Sequence, residues 1–348
     1  MNVGLVGCGR VSDEHMKAWR RVRQARVTAV CDTIEERAAR VAEAWDVPSH
    51  YTDLETMIRH EKLEYLSICT PPNSHVEAVS EAIAAGVNVV VEKPLAMTVK
   101  EVEQIGQVSK GSTARLMVVS NLLFAPAAAR ANHVLESLRQ QPVSVDVQFF
   151  KESDDNFISD STHWCHKLPG GIFGEILFHP LYLIRFFLGD LQIKAVYVER
   201  IGKHDWMPYD ELTVFLGSLQ SQARIRISCN SLRYRSFLDL YGQKNAIRAE
   251  LKTNDTYMFR DPDKRWTAKG FEVLRQNFMS LESGLRLVPD AALFHLGVHH
   301  TTHELNIKAF VDNHASVKSR VLTLEDAYKI TQLQEEITTL IDKHRGEH

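Results

Sequence analysis

The chain has 348 residues, of which 44% are hydrophobic and 24% charged, and its formal net charge is −3. This length exceeds one ordinary domain and predicts two, each large enough to bury its own core. The small net charge gives no general electrostatic reason to expect a nucleic-acid partner, and no apolar stretch approaches the length of a membrane span. Five scattered cysteines without a CxxC pair favour a reducing compartment, so we expect a cytoplasmic protein.

The first twelve residues predict a strand, a tight turn and the start of a helix. An apolar run over residues 3–6 leads into residues 7–12, which have the sequence GCGRVS, and this arrangement is typical of a site for a dinucleotide pyrophosphate. Gly7 permits the sharp turn, and Gly9 lets backbone N–H groups approach the phosphates without a Cβ in the way. Ser12 stands where the pattern usually has a third glycine or alanine, and its small side chain still allows the helix to pack closely on the strand.

Asp32 follows a second predicted strand, residues 27–30, and lies 23 residues after Gly9 (32 − 9). An acid at this place accepts hydrogen bonds from the adenosine ribose hydroxyls and repels a 2′-phosphate, so NAD is favoured over NADP. The alternative is that Asp32 only caps the helix that begins near Thr33 or Ile34.

The remainder of the first third alternates strands with helices, which is the pattern of a parallel sheet covered on both faces. Strands are predicted over residues 65–68, 87–91 and 116–119, and a helix over residues 34–45. The first two of these strands run into polar loops that contain proline, and an open parallel sheet places its ligands at such strand ends. Capping-box spacing predicts four helix starts, at Thr52 with Glu55, Ser74 with Glu77, Thr98 with Glu101, and Thr323 with Asp326.

The pattern changes from about Asn121. An alanine-rich helix over residues 126–139 leads to residues 143–149, which alternate with the two-residue period of a strand. We therefore expect a doubly wound parallel sheet of the Rossmann type in residues 1–120, and an α+β domain with an antiparallel or mixed sheet in residues 121–348. The C-terminal helix of the second domain can pack back on the first. Four later stretches are also predicted to be strands separated by turns: 191–198, 212–216, 223–228 and 237–241.

Four segments at predicted strand or helix ends carry a recognisable order and spacing: the glycine turn of residues 7–12; Thr70-Pro71-Pro72-Asn73-Ser74-His75; Glu92-Lys93-Pro94; and Gly170-Gly171 followed by Glu175 and His179. Together they resemble the Gfo/Idh/MocA family of nicotinamide-dependent oxidoreductases, over essentially the whole chain. The resemblance implies a second domain that binds substrate. A large, mostly antiparallel open sheet of this domain would form one wall of the pocket, and in the family the domain often mediates oligomer contacts. We expect the cofactor to contact Gly7, Gly9, Arg10, Val11, Asp32, Thr70, Pro71, Asn73, His75, Glu92 and Lys93.

The resemblance also assigns the catalytic residues. It implies that Lys93 projects into the pocket beside the nicotinamide, where a fixed ammonium can hydrogen-bond the substrate oxygen and stabilise its alkoxide character as hydride leaves the carbon. The alternative is a solvated surface lysine. His179 is the candidate base, because a histidine can take a hydroxyl proton and return it in the reverse direction. Glu175, one helical turn earlier, is expected to orient this imidazole, unless His179 only satisfies a contact in the core.

The last of the four segments departs from the family pattern. Family members commonly have Asp where Glu175 stands and often another Asp where Tyr182 stands, so the substrate need not be typical of the family. Trp164 and Lys167 stand where the family often has a tryptophan and a basic residue, and we expect them in the substrate pocket with Tyr182; packing or solvent exposure is the alternative. Pro180 has no amide proton, so the helix is expected to kink there or to begin with Pro180 as its first residue.

Two further groups of side chains have more than one interpretation. His299, His300 and His303 include a pair spaced i,i+4 that could bind zinc, but no third ligand with regular spacing accompanies them, and we predict no metal site. A set of basic residues could hold a carboxylate or a diphosphate, or could simply form the solvent face of the sheet. These are Arg224, Arg226, Arg233, Arg235, Lys244 and Arg248.

The combined features predict an NAD-dependent dehydrogenase or reductase that acts on CH–OH groups. Its carbohydrate-like substrate would be the secondary alcohol, or the matching ketone, of a sugar, sugar acid, nucleotide sugar or polyol. The basic residues favour a nucleotide sugar or a sugar acid, and a neutral polyol comes second. The alternative is a non-catalytic dinucleotide sensor on the same fold, which the changes at Glu175 and Tyr182 leave open. We expect a homo-oligomer, a dimer or a tetramer, with no nucleic-acid or membrane partner.

Overall fold

A computed structural model of the chain describes residues 1–243, 245–260, 301–312 and 320–345. These residues form two compact units. The first contains residues 1–124, 301–312 and 320–336, and the second contains residues 125–243, 245–260 and 337–345. Within these described ranges, no helix combines the length and the apolar character needed to cross a membrane.

The first unit is built on a six-stranded parallel sheet. Its strands are β1 (Asn2–Val6), β2 (Arg26–Cys31), β3 (Ser49–Tyr51), β4 (Tyr65–Ile68), β5 (Asn88–Val91) and β6 (Leu116–Val118). They lie in the order β3-β2-β1-β4-β5-β6, which confirms the predicted Rossmann sheet. Strand β3 was not predicted. The order reverses between β1 and β4, and ligands bind beyond the carboxyl ends of the strands at such a switch point.

Seven helices among the described residues accompany this sheet. They are α1 (Ser12–Arg20), α2 (Glu35–Trp45), α3 (Leu54–His60), α4 (His75–Ala84), α5 (Val99–Ser109), α10 (Thr302–Asp312) and, in its first part, α11 (Leu324–Arg345). Helix α10 joins the core of this unit, since Ile307 and Phe310 pack in one hydrophobic cluster with Trp19 and Tyr65. A segment near the end of the chain is therefore part of the nucleotide-domain core.

Two of the four predicted capping boxes form. Those at Thr98 and at Thr323 make the reciprocal hydrogen bonds expected of this motif. At α3 the prediction was wrong by one residue, because Asp53 accepts the N–H of Thr56 at 2.8 Å. At α4 the Ser74 hydroxyl donates to a backbone carbonyl that precedes it, so the box with Glu77 is absent there.

The second unit contains a seven-stranded mixed sheet. Its strands are β7 (Ser144–Glu152), β8 (Gln192–Glu199), β9 (Glu211–Gly217), β10 (Gln222–Ser231), β11 (Arg235–Tyr241), β12 (Asn245–Glu250) and β13 (Asp255–Arg260). They lie in the order β13-β12-β11-β7-β10-β9-β8, and among these described strands only β7 and β10 run parallel. The predicted large, mostly antiparallel sheet is confirmed. Its helices are α6 (Pro126–Leu138), α7 (Asn156–Ser159), α8 (Ile172–Ile176) and α9 (Phe178–Leu188).

Candidate functional site

The glycine turn lies between β1 and α1. Gly7 has φ +89°, and a Cβ built on it would lie 2.7 Å from the backbone of Cys69 and of Thr70, so only glycine lets the end of β1 pass this close to the end of β4. Gly9 has no heavy atom within 4 Å of its Cβ position, so its backbone faces open space. The hydroxyl of Ser12 donates to the carbonyl of Gly9 at 2.5 Å, which is how a serine fits the third position of the pattern.

Asp32 joins the glycine turn to the start of α2. Its carboxylate is buried and accepts the N–H of Cys8 at 2.8 Å through Oδ2 and the N–H of Ile34 at 2.9 Å through Oδ1. A carboxylate has about four acceptor positions, so two are left beside the turn. Asp32 therefore bonds both the glycine turn and the residue that precedes α2, whose N-cap, Ile34, has no side-chain cap, and it retains the capacity to accept hydrogen bonds from a ribose.

The loop after β4 is tied to the loop after β5 by His75. This ring is fully buried, and its two nitrogens each lie 2.8 Å from a backbone carbonyl oxygen, one of Thr70 and the other of Pro94. Burial lowers the pKa of His75. The Thr70 hydroxyl is buried and has no hydrogen-bond partner among the described residues, while Pro71 and Asn73 are exposed or partly exposed on the loop surface.

Glu92 and Lys93 come directly after β5. The N–H of Glu92 donates to the carbonyl of Ile68 at 2.9 Å, so this residue lies beside the end of β4, and Lys93 is half-buried. The buried Glu92 carboxylate accepts the Lys93 N–H at 3.2 Å through Oε2, and its Oε1 lies 2.9 Å from Nε2 of His15. Burial acts to raise the pKa of Glu92, but hydrogen bonds from His15 and His303 hold it well below its usual range.

The sequence analysis missed His15 and did not connect His303 with Glu92. A signal for His15 exists in the helix period, because His15 and Trp19 are four residues apart and both are buried on one face of α1. Nothing local connects His303 with Glu92, which precedes it by 211 residues (303 − 92). His299 and His300 lie outside the described residues, so the zinc pair considered from the sequence is not described.

His179 lies in the second unit near the start of α9. Its Nδ1 is 3.0 Å from the hydroxyl of Tyr182, and the ring of Phe149 on β7 stacks against it with centroids 6.2 Å apart. Helix α9 begins at Phe178, so Pro180 is its third residue and not its first. The reason is that every N–H in the first turn of a helix lacks an intrahelical partner, so proline is tolerated there without being the first residue.

The remaining predicted pocket residues differ in their surroundings. Tyr182 is fully buried, and its hydroxyl meets His179. Glu175 lies on α8, four residues before His179 and partly exposed. Lys167 lines a cavity of about 170 Å³ in the second unit, together with Trp206 and Asp342. Trp164 is half-exposed, and it is not one of the described residues that line this cavity.

The basic residues of the second sheet are largely neutralised by neighbouring carboxylates. Arg233 is exposed, and Lys244 lies outside the described residues. The other four arginines each pair with an acid on an adjacent strand, so their charges are partly compensated. The pairs are Arg224 with Asp146 (2.6 Å), Arg226 with Glu211 (3.9 Å), Arg235 with Glu250 (3.0 Å, two bonds) and Arg248 with Asp239 (2.7 and 2.8 Å).

Comparisons with known proteins show what this chain is similar to. Residues 1–120 match the family model GFO_IDH_MocA, described as an oxidoreductase family with an NAD-binding Rossmann fold. The chain is 27% identical over 199 residues to D-apiose dehydrogenase from Paraburkholderia graminis, covering 57% of this chain and 52% of that protein. It is 26% identical over 268 residues to inositol 2-dehydrogenase from Rhizobium meliloti, covering 71% of this chain and 74% of that protein.

A solved structure extends the likeness of fold to both units. The WlbA dehydrogenase from Bordetella pertussis, crystallised in complex with NADH and UDP-GlcNAcA, superposes with a TM-score of 0.77. The superposition covers 99% of this chain and 96% of that one, at 18% sequence identity. The likeness of fold to that dehydrogenase therefore includes the second unit as well as the first.

Proposed function

We propose that this chain, whose residues 1–120 match the model of the Gfo/Idh/MocA family of NAD-binding oxidoreductases, is a member of that family and an NAD-dependent dehydrogenase or reductase of a sugar or polyol. It would oxidise a secondary hydroxyl or reduce the matching ketone. The observation that carries the cofactor part is the open glycine turn with the Asp32 carboxylate bonded into it. NAD supplies or accepts the hydride in such a reaction.

The residues at the carboxyl ends of the first sheet fit this cofactor. No side chain caps the start of α1, so the N–H groups that follow Gly9 are suited to a pyrophosphate, which the helix dipole also favours. Asp32 would accept hydrogen bonds from the adenosine ribose. The buried hydroxyl of Thr70, which lacks a partner in the described part of the chain, would bond to the cofactor at the end of β4.

His179 would exchange the proton of the substrate hydroxyl through Nε2. This role needs the neutral tautomer in which Nδ1 carries the ring proton and Nε2 carries none. The Tyr182 hydroxyl, 3.0 Å from Nδ1, can accept a hydrogen bond from that N–H. Tyr182 is then a positioning residue, and Glu175 would help to orient the ring from one turn earlier. Lys93 would hydrogen-bond the reacting oxygen and stabilise its negative charge during hydride transfer.

The pairing of the arginines shifts the proposed substrate towards a neutral sugar or polyol. The sequence favoured a sugar acid or a nucleotide sugar because of basic residues that are now seen to bond to carboxylates, such as Arg248 with Asp239. The relatives named above as dehydrogenases of apiose and inositol act on neutral carbohydrates by those names. We further propose a cytoplasmic homo-oligomer.

The test is a titration of the purified protein with NADH and NADPH, followed by an assay of NADH formation with a panel of polyols, aldoses, uronates and nucleotide sugars. We expect selective NADH binding and turnover of a neutral member. Selective binding without turnover of any member would favour the sensor, and binding of neither nucleotide would contradict the proposal as a whole.

A further inference from the structure

The Glu92 carboxylate has a partner that lies outside the four segments that resemble the family. His303 on α10 places its Nε2 3.3 Å from Oε1 of Glu92, and its side chain is 12% exposed. The same oxygen lies 2.9 Å from Nε2 of His15. The two imidazole rings are 5.5 Å apart between centroids. One carboxylate oxygen is thus held from two sides, by a helix that follows the glycine turn and by a helix near the end of the chain.

The protonation state of His15 follows from its other neighbours. The indole of Trp19 can only donate, and its N–H lies 3.0 Å from the Ser67 hydroxyl. That hydroxyl is 2.7 Å from Nδ1 of His15, so it accepts from Trp19 and can donate to His15. Nε2 of His15 then carries the ring proton and donates it to Glu92. Burial lowers the pKa of His15, which agrees with this neutral form.

Helix α10 holds His303 in a fixed position. Its Glu304 is ion-paired at 2.9 Å with Arg21, which directly follows α1, and its Asn306 accepts the backbone N–H of Ser120 at 2.9 Å. Its apolar face is buried in the core of the first unit, where Ile307 has no exposed surface. His303 therefore belongs to a packed element and is not a side chain on a free loop.

The Glu92 carboxylate connects the two imidazoles with the backbone of Lys93. With two imidazoles at Oε1, the other oxygen, Oε2, lies where it accepts the Lys93 N–H at 3.2 Å. We infer that His303, together with His15, is a positioning residue for Lys93, because it fixes the carboxylate that anchors the backbone from which the lysine side chain projects. The inference deepens the proposed function and rests on the role that it gives to Lys93.

The test compares two variants of His303 in the full-length protein. His303→Leu removes the donor and keeps an apolar side chain, whereas His303→Gln retains an N–H group that can reach Glu92. We expect His303→Leu to lower kcat about tenfold, since a small displacement of a catalytic group has a large kinetic effect. The KM for NAD and the affinity for NADH should stay within about twofold. His303→Gln should recover most of the loss, which a purely structural role would not produce.

Ile307→Val on the same helix is the matched control. It removes one buried methyl group from α10 without touching Glu92, so it should lower the melting temperature and leave kcat unchanged. Equal losses of kcat in Ile307→Val and His303→Leu would overturn the inference, because loosening the helix would then be sufficient. Equal kcat values in His303→Gln and His303→Leu would do the same.

Two parallel measurements separate this inference from the proposed function. Lys93→Ala should lower kcat strongly; if it does not, the proposed role of Lys93 fails. If Lys93→Ala lowers kcat and His303→Leu does not, only the positioning inference fails. Zinc analysis of the purified protein completes the set, because stoichiometric zinc that is lost in His303→Leu would make Glu92 a metal ligand and overturn the inference.

Discussion

The surroundings of the two proposed catalytic side chains are built in different ways. Beside Lys93, the Glu92 carboxylate is held by groups from helices that are far apart in the chain, with His15 at 2.9 Å and His303 at 3.3 Å. His179 lies 3.0 Å from the hydroxyl of Tyr182, three residues away on the same helix, and its ring stacks on Phe149 of β7. The first arrangement joins helices that are far apart in the chain, and the second includes a contact within a single helical turn. The proton-exchanging group should therefore be disturbed by local changes, and the lysine also by distant ones.

The largest expected effect concerns His179 and its surroundings. His179→Ala should lower kcat by about a thousandfold, the range of general acid–base catalysis, and should leave NADH affinity nearly unchanged. His133→Ala, an exposed histidine on α6 of the same unit, is the control and should keep full activity. Steady-state rates and a fluorescence titration with NADH provide both numbers. Turnover that survives in His179→Ala would remove His179 from the mechanism.

A second prediction concerns Asp32 in the first unit. Asp32→Ala removes the acceptor of the Cys8 and Ile34 amides and the proposed partner of the ribose. We expect the affinity for NADH to fall about thirtyfold and the gap to NADPH to narrow. Asp53→Ala is a matched control, since Asp53 also accepts an N–H at a helix start but lies at α3. It should reduce stability only. An unchanged preference for NADH in Asp32→Ala would leave Asp32 with only its hydrogen bonds to the Cys8 and Ile34 amides.

Tyr182→Phe tests how far the local contact positions His179. The substitution keeps the buried ring and removes the hydroxyl that lies 3.0 Å from Nδ1, so the ring loses the group that favours one tautomer. We expect kcat to fall about tenfold, with a shift in the pH profile of kcat and little change in KM. A pH profile that superposes on the wild-type curve would contradict the positioning role of Tyr182.

A further prediction concerns how stability depends on pH and involves two buried histidines of the first unit. Burial lowers the pKa of both His15 and His75 in the folded protein, so the unfolded chain binds protons first as the pH falls below about 6.5. The free energy of unfolding should thus decrease from pH 7 to pH 5, by up to about 1.4 kcal/mol per pH unit for each histidine. Denaturant titrations at several pH values measure this slope. His75→Gln should flatten it, whereas the exposed His133→Gln should not.

Local patterns predicted much of the fold. The glycine turn, the box at Thr98 and the alternation of strands with helices depend on residues within a few positions of each other, and each is confirmed. The cap at α3 was misplaced because Thr52 and Asp53 are adjacent and both can cap a helix, so spacing alone does not decide between them. Strand β3 has only three residues, too few to show a period.

The candidate site was predictable where its parts are close in the chain. The sequence, with its family resemblance, proposed Lys93 and His179 as catalytic, which stays a prediction, and treated the arginines of the second sheet as a possible anion site. Their pairing with carboxylates depends on strand register, for example Arg248 opposite Asp239 on β11 and β12. Strand β12 was not predicted, so the sequence could not show that these charges lie side by side.

By itself, the sequence determined the class of fold, the nucleotide turn and the main candidate catalytic side chains, because strand and helix periods and short motifs are local properties. Only the tertiary structure decided what surrounds them. It brought His303 against Glu92, buried Tyr182 against His179 and paired Arg224 with Asp146. These contacts exist because burial forces polar and charged groups from separate elements to satisfy one another, and the spacing of residues along the chain does not record which elements will meet.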